Sequence, residues 1–355
     1  MTEYKRPTRV SAALLAAAVL LTAAFGSAVA AESSAVPANY AERPEVRAFV
    51  DEMATEHGFD PRSLRRLFAQ VRYQPQVIAA ISRPVVSPPK WFEFAPRFLA
   101  PERVDAGVAF WRAHDAALAR AEKDFGIPPE IVVAIIGVET YYGRYPGTYR
   151  VIDALTTLAF DYPRRAEFFR SQLKQFLLLT REQGASPLAA KGSYAGAMGL
   201  PQFMPGSVRS YALDYDFDGS IDLAGNADDA IGSVANYLRQ HGWQRGQPLM
   251  TAALIEEDAK DAVFARLEAG LSEPQALSAW DLDGVRAFEP PDDLAPDPVR
   301  LLMLEEDGGP SYWVVFNNWY VVTRYNRSRL YASAVAELAL VLKEARARGE
   351  GPAGR

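Results

Sequence analysis

The spacing of apolar residues along the chain predicts a mainly helical protein. Between residues 44 and 68, apolar side chains recur every three or four positions, and Gly58 divides that stretch into two short helices. The same period continues over 104–125, which predicts one amphipathic helix there. Further helices are predicted over 128–142, 163–182, 226–240 and 331–347. We therefore expect a core built from packed helices.

The second half of the chain also carries a weaker β signal. Residues 312–322 are rich in aromatic and β-branched side chains, which favours a strand or a buried segment. Before it, proline and acidic residues accumulate, which is typical of a smaller inserted module. We predict a mainly α (α+β) fold. Its segments would be a signal peptide (1–30), a linker (31–43), an N-terminal helical region (44–125), a helical core (126–244), a small inserted α/β module (245–310), the C-terminal part of the core (311–347) and a tail (348–355).

The first 30 residues have the organisation of a secretory signal peptide. Basic residues precede an apolar run from about Ala12 to Phe25, and small residues follow up to Ala30. The run is short and alanine-rich for a membrane span, and an uncleaved anchor is the alternative. The chain has no cysteine, so we expect neither a lipid anchor on a cysteine after the signal peptide nor disulfides. We predict a periplasmic protein that is soluble after cleavage.

Composition and charge limit the possible partners. The chain has 355 residues, of which 49% are hydrophobic and 23% charged, as in ordinary soluble proteins with a substantial core. The formal net charge is −6 and no basic stripe is present, which argues against nucleic acid as a partner. We expect a monomer.

One carboxylate stands in the most apolar of the predicted helices. The segment 131–143 is almost entirely apolar around Glu139, whose neighbours one turn away are Ile135, Ile136 and Tyr142. A buried glutamate must find a partner, stay neutral or border a cleft, and burial would raise its pKa as a general acid requires. The alternative is a glutamate that reaches water at the fraying end of its helix.

A second candidate segment, 191–205, is rich in glycine and also contains Ser193 and Gln202. Glycine lets the backbone approach a ligand closely, and serine and glutamine side chains suit the hydroxyl and acetamido groups of sugars. The alternative is a tight structural loop in which Met198 and Met204 serve packing.

Several motifs in a fixed order give the chain a family resemblance. They are Gly137-Val138-Glu139-Thr140, Tyr162-Pro163-Arg164-Arg165-Ala166-Glu167, Gly196-Ala197-Met198-Gly199, Gln202-Phe203-Met204-Pro205, Asp229-Ala230-Ile231-Gly232-Ser233-Val234-Ala235-Asn236-Tyr237 and Arg324-Tyr325-Asn326. From about Phe49 to about Ala339, the chain resembles the lytic murein transglycosylase B family.

The resemblance implies a lysozyme-like helical core with one catalytic glutamate, at Glu139. Arg164 and Arg165 match a pair near the bound muropeptide, where guanidinium groups would suit acidic peptide stems and lactyl groups. A solvated helix start is the alternative for these two arginines. Residues that match positions lining the glycan cleft are Ser193, Gln202, Tyr237, Tyr325 and Asn326.

The resemblance also implies the reaction. Glu139 would protonate the oxygen between MurNAc and GlcNAc, and its carboxylate would then take the proton of the MurNAc C6 hydroxyl, which closes onto C1 as a 1,6-anhydro sugar. Most glycosidases use two carboxylates, and the candidates for a second, Asp153 and Asp161, are as easily cap or surface residues. The alternatives are a lysozyme-type hydrolase on the same glycan and a non-catalytic, calcium-stabilised peptidoglycan-binding protein.

Residues 214–222 match the start of an EF-hand calcium loop, with glycine at the sixth position. The twelfth position, normally acidic, is Gly225, and the family loop closes late, which leaves Asp228 or Asp229 as the closing acid. The alternative is a solvated acidic turn before a helix. We expect a structural Ca²⁺ and no organic cofactor. The other expected ligands are Asp214, Asp216, Asp218, Ser220 and Asp222.

Overall fold

The computed structural model describes residues 39–83, 89–267, 270–290 and 293–349. The predicted signal peptide, most of the predicted linker, most of the tail and parts of the proline-rich stretches near residues 86 and 291 lie outside the described residues. Within the described ranges, the helices are α1 (Pro44–His57), α2 (Pro61–Phe68), α3 (Pro75–Ile81), α4 (Trp91–Phe94), α5 (Pro96–Leu99), α6 (Pro101–Ala113), α7 (Asp115–Phe125), α8 (Pro129–Thr140), α9 (Val151–Asp161), α10 (Ala166–Glu182), α11 (Pro205–Tyr211), α12 (Ala227–Gln240), α13 (Lys260–Phe264), α14 (Leu277–Leu282), α15 (Asn317–Tyr325) and α16 (Arg329–Arg348). The strands are β1 (Tyr149–Arg150), β2 (Lys191–Gly192), β3 (Met250–Ile255), β4 (Val285–Ala287), β5 (Arg300–Glu306) and β6 (Gly309–Val315). The predicted mainly α fold is confirmed.

Local sequence signals set several of the helix ends. Gly58 ends α1 in a left-handed conformation, as its position predicts. Asn226 caps α12 by accepting hydrogen bonds from the first-turn amides of Asp228 and Asp229. The prediction of one helix over 104–125 is wrong, because His114 leaves the helical conformation (φ −120°, ψ 25°) and separates α6 from α7. The apolar period continues across this break, so periodicity alone does not reveal it.

Two helical cores lie side by side within the described part of the chain. In the first, α1, α2 and α3 pack on α9 and α10, around Phe49, Phe68 and Phe176. In the second, α8 is surrounded by α6, α7, α12 and α16. Packing therefore groups the helices differently from the predicted segments, since α1–α3 and α6–α7 join different cores.

A four-stranded antiparallel sheet of order β4-β3-β6-β5 follows α12. One face carries a small core around Trp280, and residues such as Leu302 from the same sheet join the second helical core. Strand β6 crosses position 310, the predicted end of the inserted module. The predicted strand or buried segment over 312–322 is split, because the strand stops at Val315 and α15 begins at Asn317.

Candidate active site

The helix that carries Glu139 ends in an unusual turn. Helix α8 is buried along most of its length and stops at Thr140, two residues before the predicted end, because Tyr141 and Tyr142 both adopt left-handed backbone conformations (φ 54° and 58°). Such conformations cost on the order of 1–3 kcal/mol each for residues other than glycine. The turn fixes the direction in which Glu139, the penultimate residue of α8, leaves the helix.

Specific contacts hold this turn in place. The Thr140 hydroxyl donates to the Leu200 carbonyl at 3.0 Å, which ties the helix end to the glycine-rich segment. Arg103 donates to the Gly137 carbonyl and lies 4.4 Å from the centre of the Tyr141 ring. The Tyr142 ring fits only because Gly137 has no side chain, since a Cβ there would lie 2.6 Å from the Tyr142 hydroxyl oxygen. Glycine at position 137 is therefore a packing requirement.

The Glu139 carboxylate has one partner, Tyr331, among the described residues. The Tyr331 hydroxyl donates to Glu139 Oε1 at 2.6 Å. Burial raises the pKa of Glu139 to about 7, and the bond from Tyr331 acts in the opposite direction. Burial and the nearby Glu139 charge raise the pKa of Tyr331 well above its usual value, so Tyr331 remains a donor. A glutamate with this pKa exchanges its proton near neutral pH.

Tyr331 is the residue that sequence reasoning missed. It lies in the first turn of α16, in a stretch predicted only as a closing helix. Its ring is nearly parallel to that of Tyr325, with centroids 6.4 Å apart and 13° between the planes. Nothing in the local sequence distinguishes this tyrosine from a core residue, because its partner is 192 positions earlier in the chain.

The glycine-rich segment folds onto itself. Ser193 Oγ accepts hydrogen bonds from the amides of Ala195 (3.2 Å) and Ala197 (3.0 Å). Gln202 has a left-handed backbone (φ 49°), and its Nε2 donates to the Pro146 and Gly199 carbonyls. Both side chains are half-buried. The Gln202 Oε1 has no hydrogen-bond partner within the described ranges, so this oxygen is available to accept from a ligand amide.

Two of the predicted cleft tyrosines use their hydroxyl groups within the protein. Tyr237 donates to the Arg324 carbonyl at 2.7 Å, and Tyr325 donates to the Pro201 carbonyl. Their rings meet edge to face at 4.9 Å, and both contact Phe203. These tyrosines connect the glycine-rich segment with α12 and α15, and through Tyr331 with Glu139. They shape the site by packing.

The remaining predicted glycan and peptide contacts lie on the surface. Asn326 is exposed, and its Oδ1 accepts from the Ser328 amide at 3.1 Å, just before α16. Arg164 and Arg165 are exposed in a short 3-10 turn before α10, and Arg165 lies 4.4 Å from the Phe168 ring centre. Among the described residues, no contact joins these three side chains to Glu139.

Both candidates for a second carboxylate have structural partners. Asp153 is buried, pairs with Arg150 at 2.8 Å and accepts from the Arg72 amide. Asp161 accepts from Tyr40 and pairs with Arg43 at 2.8 Å. Both stabilise the first helical core, and within the described ranges neither contacts Glu139.

Part of the predicted calcium loop converges on one point. Oxygens of Asp214, Asp216 and Asp229 lie within 4.8 Å of one another. Asp229 is fully buried, and burial together with the charges of Asp216 and Asp214 raises its pKa. Backbone amides, such as those of Tyr215 and Asp222 that donate to Asp229, offset part of the repulsion among the three carboxylates. A cation would offset it further, and such an oxygen set suits Ca²⁺. The residues present therefore fit the ion.

The other predicted ligands are outside this cluster. Asp218 accepts from the Ser220 amide at 2.8 Å, and Asp222 accepts from the Ala224 and Gly225 amides at 2.9 Å each. Asp228 points to His114, with Oδ1 3.5 Å from Nδ1. Of the two candidates for the closing acid, the geometry thus favours Asp229.

Comparison with known proteins is consistent with this geometry. The Transglycosylase SLT domain model matches residues 41–340. Membrane-bound lytic murein transglycosylase B of Escherichia coli K12 is 38% identical over 317 residues, which are 87% of this chain and 85% of that protein. Within the described ranges, no helix has the length and apolar character that crossing a membrane requires.

Solved structures agree over nearly the same length. Soluble lytic transglycosylase SltB1 from Pseudomonas aeruginosa is 47% identical with a TM-score of 0.80, covering 86% of this chain and all of that one (100%). The Escherichia coli lytic transglycosylase Slt35 in complex with calcium is 39% identical with a TM-score of 0.79, covering 87% and 96%. SltB3 from Pseudomonas aeruginosa in complex with NAG-anhNAM-pentapeptide is 32% identical with a TM-score of 0.74, covering 84% and 79%. The chain belongs to the lytic murein transglycosylase B family and is an enzyme that acts on peptidoglycan.

Proposed function

We propose that Glu139 is the single acid and base of this lytic transglycosylase. Its protonated carboxyl group gives its proton to the oxygen that links MurNAc C1 to GlcNAc, and the C1–O bond breaks. The MurNAc acetamido oxygen stabilises the positive charge at C1. The Glu139 carboxylate then takes the proton of the C6 hydroxyl, and O6 bonds to C1. The product is a 1,6-anhydroMurNAc end, and Glu139 is protonated again without any water being consumed.

The observation that supports this assignment best is the environment of Glu139. A pKa of about 7 allows the same group to be present as acid and as base near neutral pH. The bond from Tyr331 holds one carboxylate oxygen, and it strengthens when Glu139 becomes charged. A double-displacement mechanism would need a second carboxylate. The ion pairs of Asp153 with Arg150 and of Asp161 with Arg43 argue against either candidate in that role.

Other residues would bind the glycan around Glu139. We infer that Gln202 Oε1 accepts from an acetamido N–H and that Ser193 lies along the same strand of sugars. Tyr237 and Tyr325 would form the wall of the cleft through their rings, since their hydroxyl groups are bonded to carbonyls. Asn326 would contact the glycan at the rim. The exposed Arg164 and Arg165 would meet the acidic peptide stems.

The test is the conversion of Glu139 to glutamine. We expect Glu139→Gln to fold and to release no anhydromuropeptides from purified sacculi, with products identified by mass spectrometry. Glu337→Gln is the matched control, because burial also raises the pKa of Glu337 to about 7 and no described contact joins it to Glu139. Release of anhydro products by Glu139→Gln at the wild-type rate would end the assignment.

The same digest separates the two enzymatic mechanisms. A lysozyme-type hydrolase would leave fragments heavier by one water molecule than the anhydro products. SltB3 from Pseudomonas aeruginosa forms a complex with NAG-anhNAM-pentapeptide, which contains an anhydro sugar. This complex favours the anhydro product for the present chain as well.

We also propose a structural Ca²⁺ held by Asp214, Asp216 and Asp229. When bound, the ion would neutralise the three carboxylates and fix the loop before α12. We assign it a structural role, with no part in the reaction at Glu139. The support is the fit of the oxygen cluster and the Slt35 structure in complex with calcium. Asp218, Ser220 and Asp222 would shape the loop through their backbone bonds.

Finally, we propose that the enzyme works in the periplasm after cleavage behind Ala30 or Ala31. The pattern of the first 30 residues supports this location. Sequencing of the amino terminus of the protein recovered from the cell envelope tests it, and an intact Met1 on the envelope protein would contradict cleavage.

A further inference from the structure

A positively charged groove lies between the four-stranded sheet and the segment that joins α15 to α16. Its cavity has a volume of about 630 Å³. Nine residues line it, and none of them is acidic. Four are arginines and one is a histidine: Arg300, Arg324, Arg327, Arg329 and His241.

These arginines are poorly neutralised. Within the described ranges, no carboxylate oxygen lies within 4.0 Å of Arg324, Arg327 or Arg329. The nearest for Arg300 is Glu273 at 3.9 Å, whose side chain is 87% exposed and largely solvated. Burial lowers the pKa of Arg329, with the charge of Glu305 acting in the opposite direction. The guanidinium groups in the groove repel one another, and burial deprives them of part of their solvation. An anion bound there would offset both effects.

The lining favours carboxylates over sugar hydroxyl groups. Guanidinium groups bind carboxylates through two parallel hydrogen bonds, a geometry that single hydroxyls cannot match. The Arg324 guanidinium lies 4.5 Å from the Tyr320 ring centre, which restricts its orientation. The half-exposed Tyr320 and the half-buried Leu271 supply apolar surface at the same groove, as a peptide with aliphatic side chains would require.

The groove is also close to the proposed acid. Arg324 precedes Tyr325, and its carbonyl accepts the hydrogen bond from Tyr237. Arg327 is four residues before Tyr331, the partner of Glu139. Four extended residues span at most about 14 Å, so the groove begins within a few sugar units of the reacting bond.

We propose that this groove binds the carboxylate groups of the peptide stems carried by the glycan strand. The inference rests on the proposed function, since it takes the glycan to be held at Glu139. It assigns a peptide subsite distinct from Arg164 and Arg165, which lie before α10. The enzyme would thereby distinguish glycan with stems from glycan without them.

The test measures binding in the Glu139→Gln background, with two tetrasaccharide fragments of peptidoglycan, one with its peptide stems and one without. Arg324→Gln together with Arg327→Gln removes two exposed charges of the groove. The matched control replaces Arg62 and Arg72 with glutamine; both are also exposed, but they lie in α2 and shortly after it rather than in the groove. Melting temperatures check folding, and Arg327→Gln alone serves if the double variant is unstable.

We expect the groove variant to bind the stem-bearing fragment about 5- to 30-fold more weakly, or about 1–2 kcal/mol at 1.4 kcal/mol per tenfold change, as for two partly solvated ion pairs. Affinity for the stem-free fragment should change less than about twofold, and the control variant should behave like its parent. An equal loss for both fragments, or no loss for either, would overturn the proposal. The mass of the recovered fragments reports separately whether Glu139→Gln still cleaves them, so a failure of the proposed function is seen independently.

Discussion

Replacing Glu139 with glutamine should stabilise the fold at alkaline pH while it removes the reaction. Below pH 4.5 the carboxyl group is protonated in both the native and the unfolded chain. As the pH rises from 4.5 to about 7, the unfolded chain loses this proton while the native state keeps it, so the free energy of unfolding falls. At 1.36 kcal/mol per pH unit, the ionised native carboxylate costs at most about 3 kcal/mol at pH 8. A neutral glutamine carries no such cost, and its oxygen can still accept from Tyr331.

The assay is thermal and urea unfolding of the wild type and Glu139→Gln at pH 4 and pH 8. We expect equal stability at pH 4 and a gain for the variant at pH 8 of up to about 3 kcal/mol, or roughly 5 °C in melting temperature for a domain of this size. Glu337→Gln should gain in the same direction without loss of activity, since burial also raises the pKa of Glu337 to about 7. If Glu139→Gln gains nothing at pH 8, the carboxylate is not desolvated in the native state and the reasoning fails.

Two further predictions concern the partner of Glu139 and the acidic loop. Tyr331→Phe removes a donor that lowers the pKa of Glu139, so the alkaline limb of the pH–rate profile should move to higher pH. We also expect kcat to fall about tenfold or more. An unchanged alkaline limb would show that the hydrogen bond does not influence the pKa of Glu139. In the wild type, added Ca²⁺ should raise the melting temperature by several degrees through binding to the native state. Asp229→Asn should lose this rise and Asp228→Asn should keep it, whereas the reverse result, or a wild type that Ca²⁺ does not stabilise, would contradict the proposed ligands.

The features that local sequence determines were predictable. Gly58 and Asn226 mark helix ends because backbone conformation and capping depend on a few neighbouring residues. A glutamate in the apolar stretch before Tyr141 identified the candidate acid, since burial of a carboxylate is rare without a reason. Periodicity predicted a mainly helical fold, and the family resemblance then supplied the lysozyme-like core and the reaction, which periodicity could not.

The features that depend on distant contacts were not predictable. The break at His114 interrupts a helix whose apolar spacing is continuous, so the sequence period gives no sign of it. In the sequence, Tyr331 cannot be distinguished from the other residues on the apolar face of a long helix. Only the folded structure shows that its hydroxyl group reaches Glu139. The spacing of 214–222 predicted an acidic loop, but it did not predict whether Asp228 or Asp229 faces that loop. The answer depends on how α12 is rotated about its axis: Asp229 lies with Asp214 and Asp216, whereas Asp228 lies against His114.

The bond between Glu139 and Tyr331 has a consequence for the time at which the enzyme becomes active. The two residues are separated by 192 positions, so Glu139, the proposed acid, acquires its partner only after α16 has been synthesised and has packed on α8. At about 5–20 residues per second, roughly 10–40 s of synthesis separate the two. A chain interrupted anywhere in that interval carries Glu139 but lacks both Tyr331 and the helix that completes the second core. We therefore expect every truncated form that stops short of α16 to lack glycan-cleaving activity.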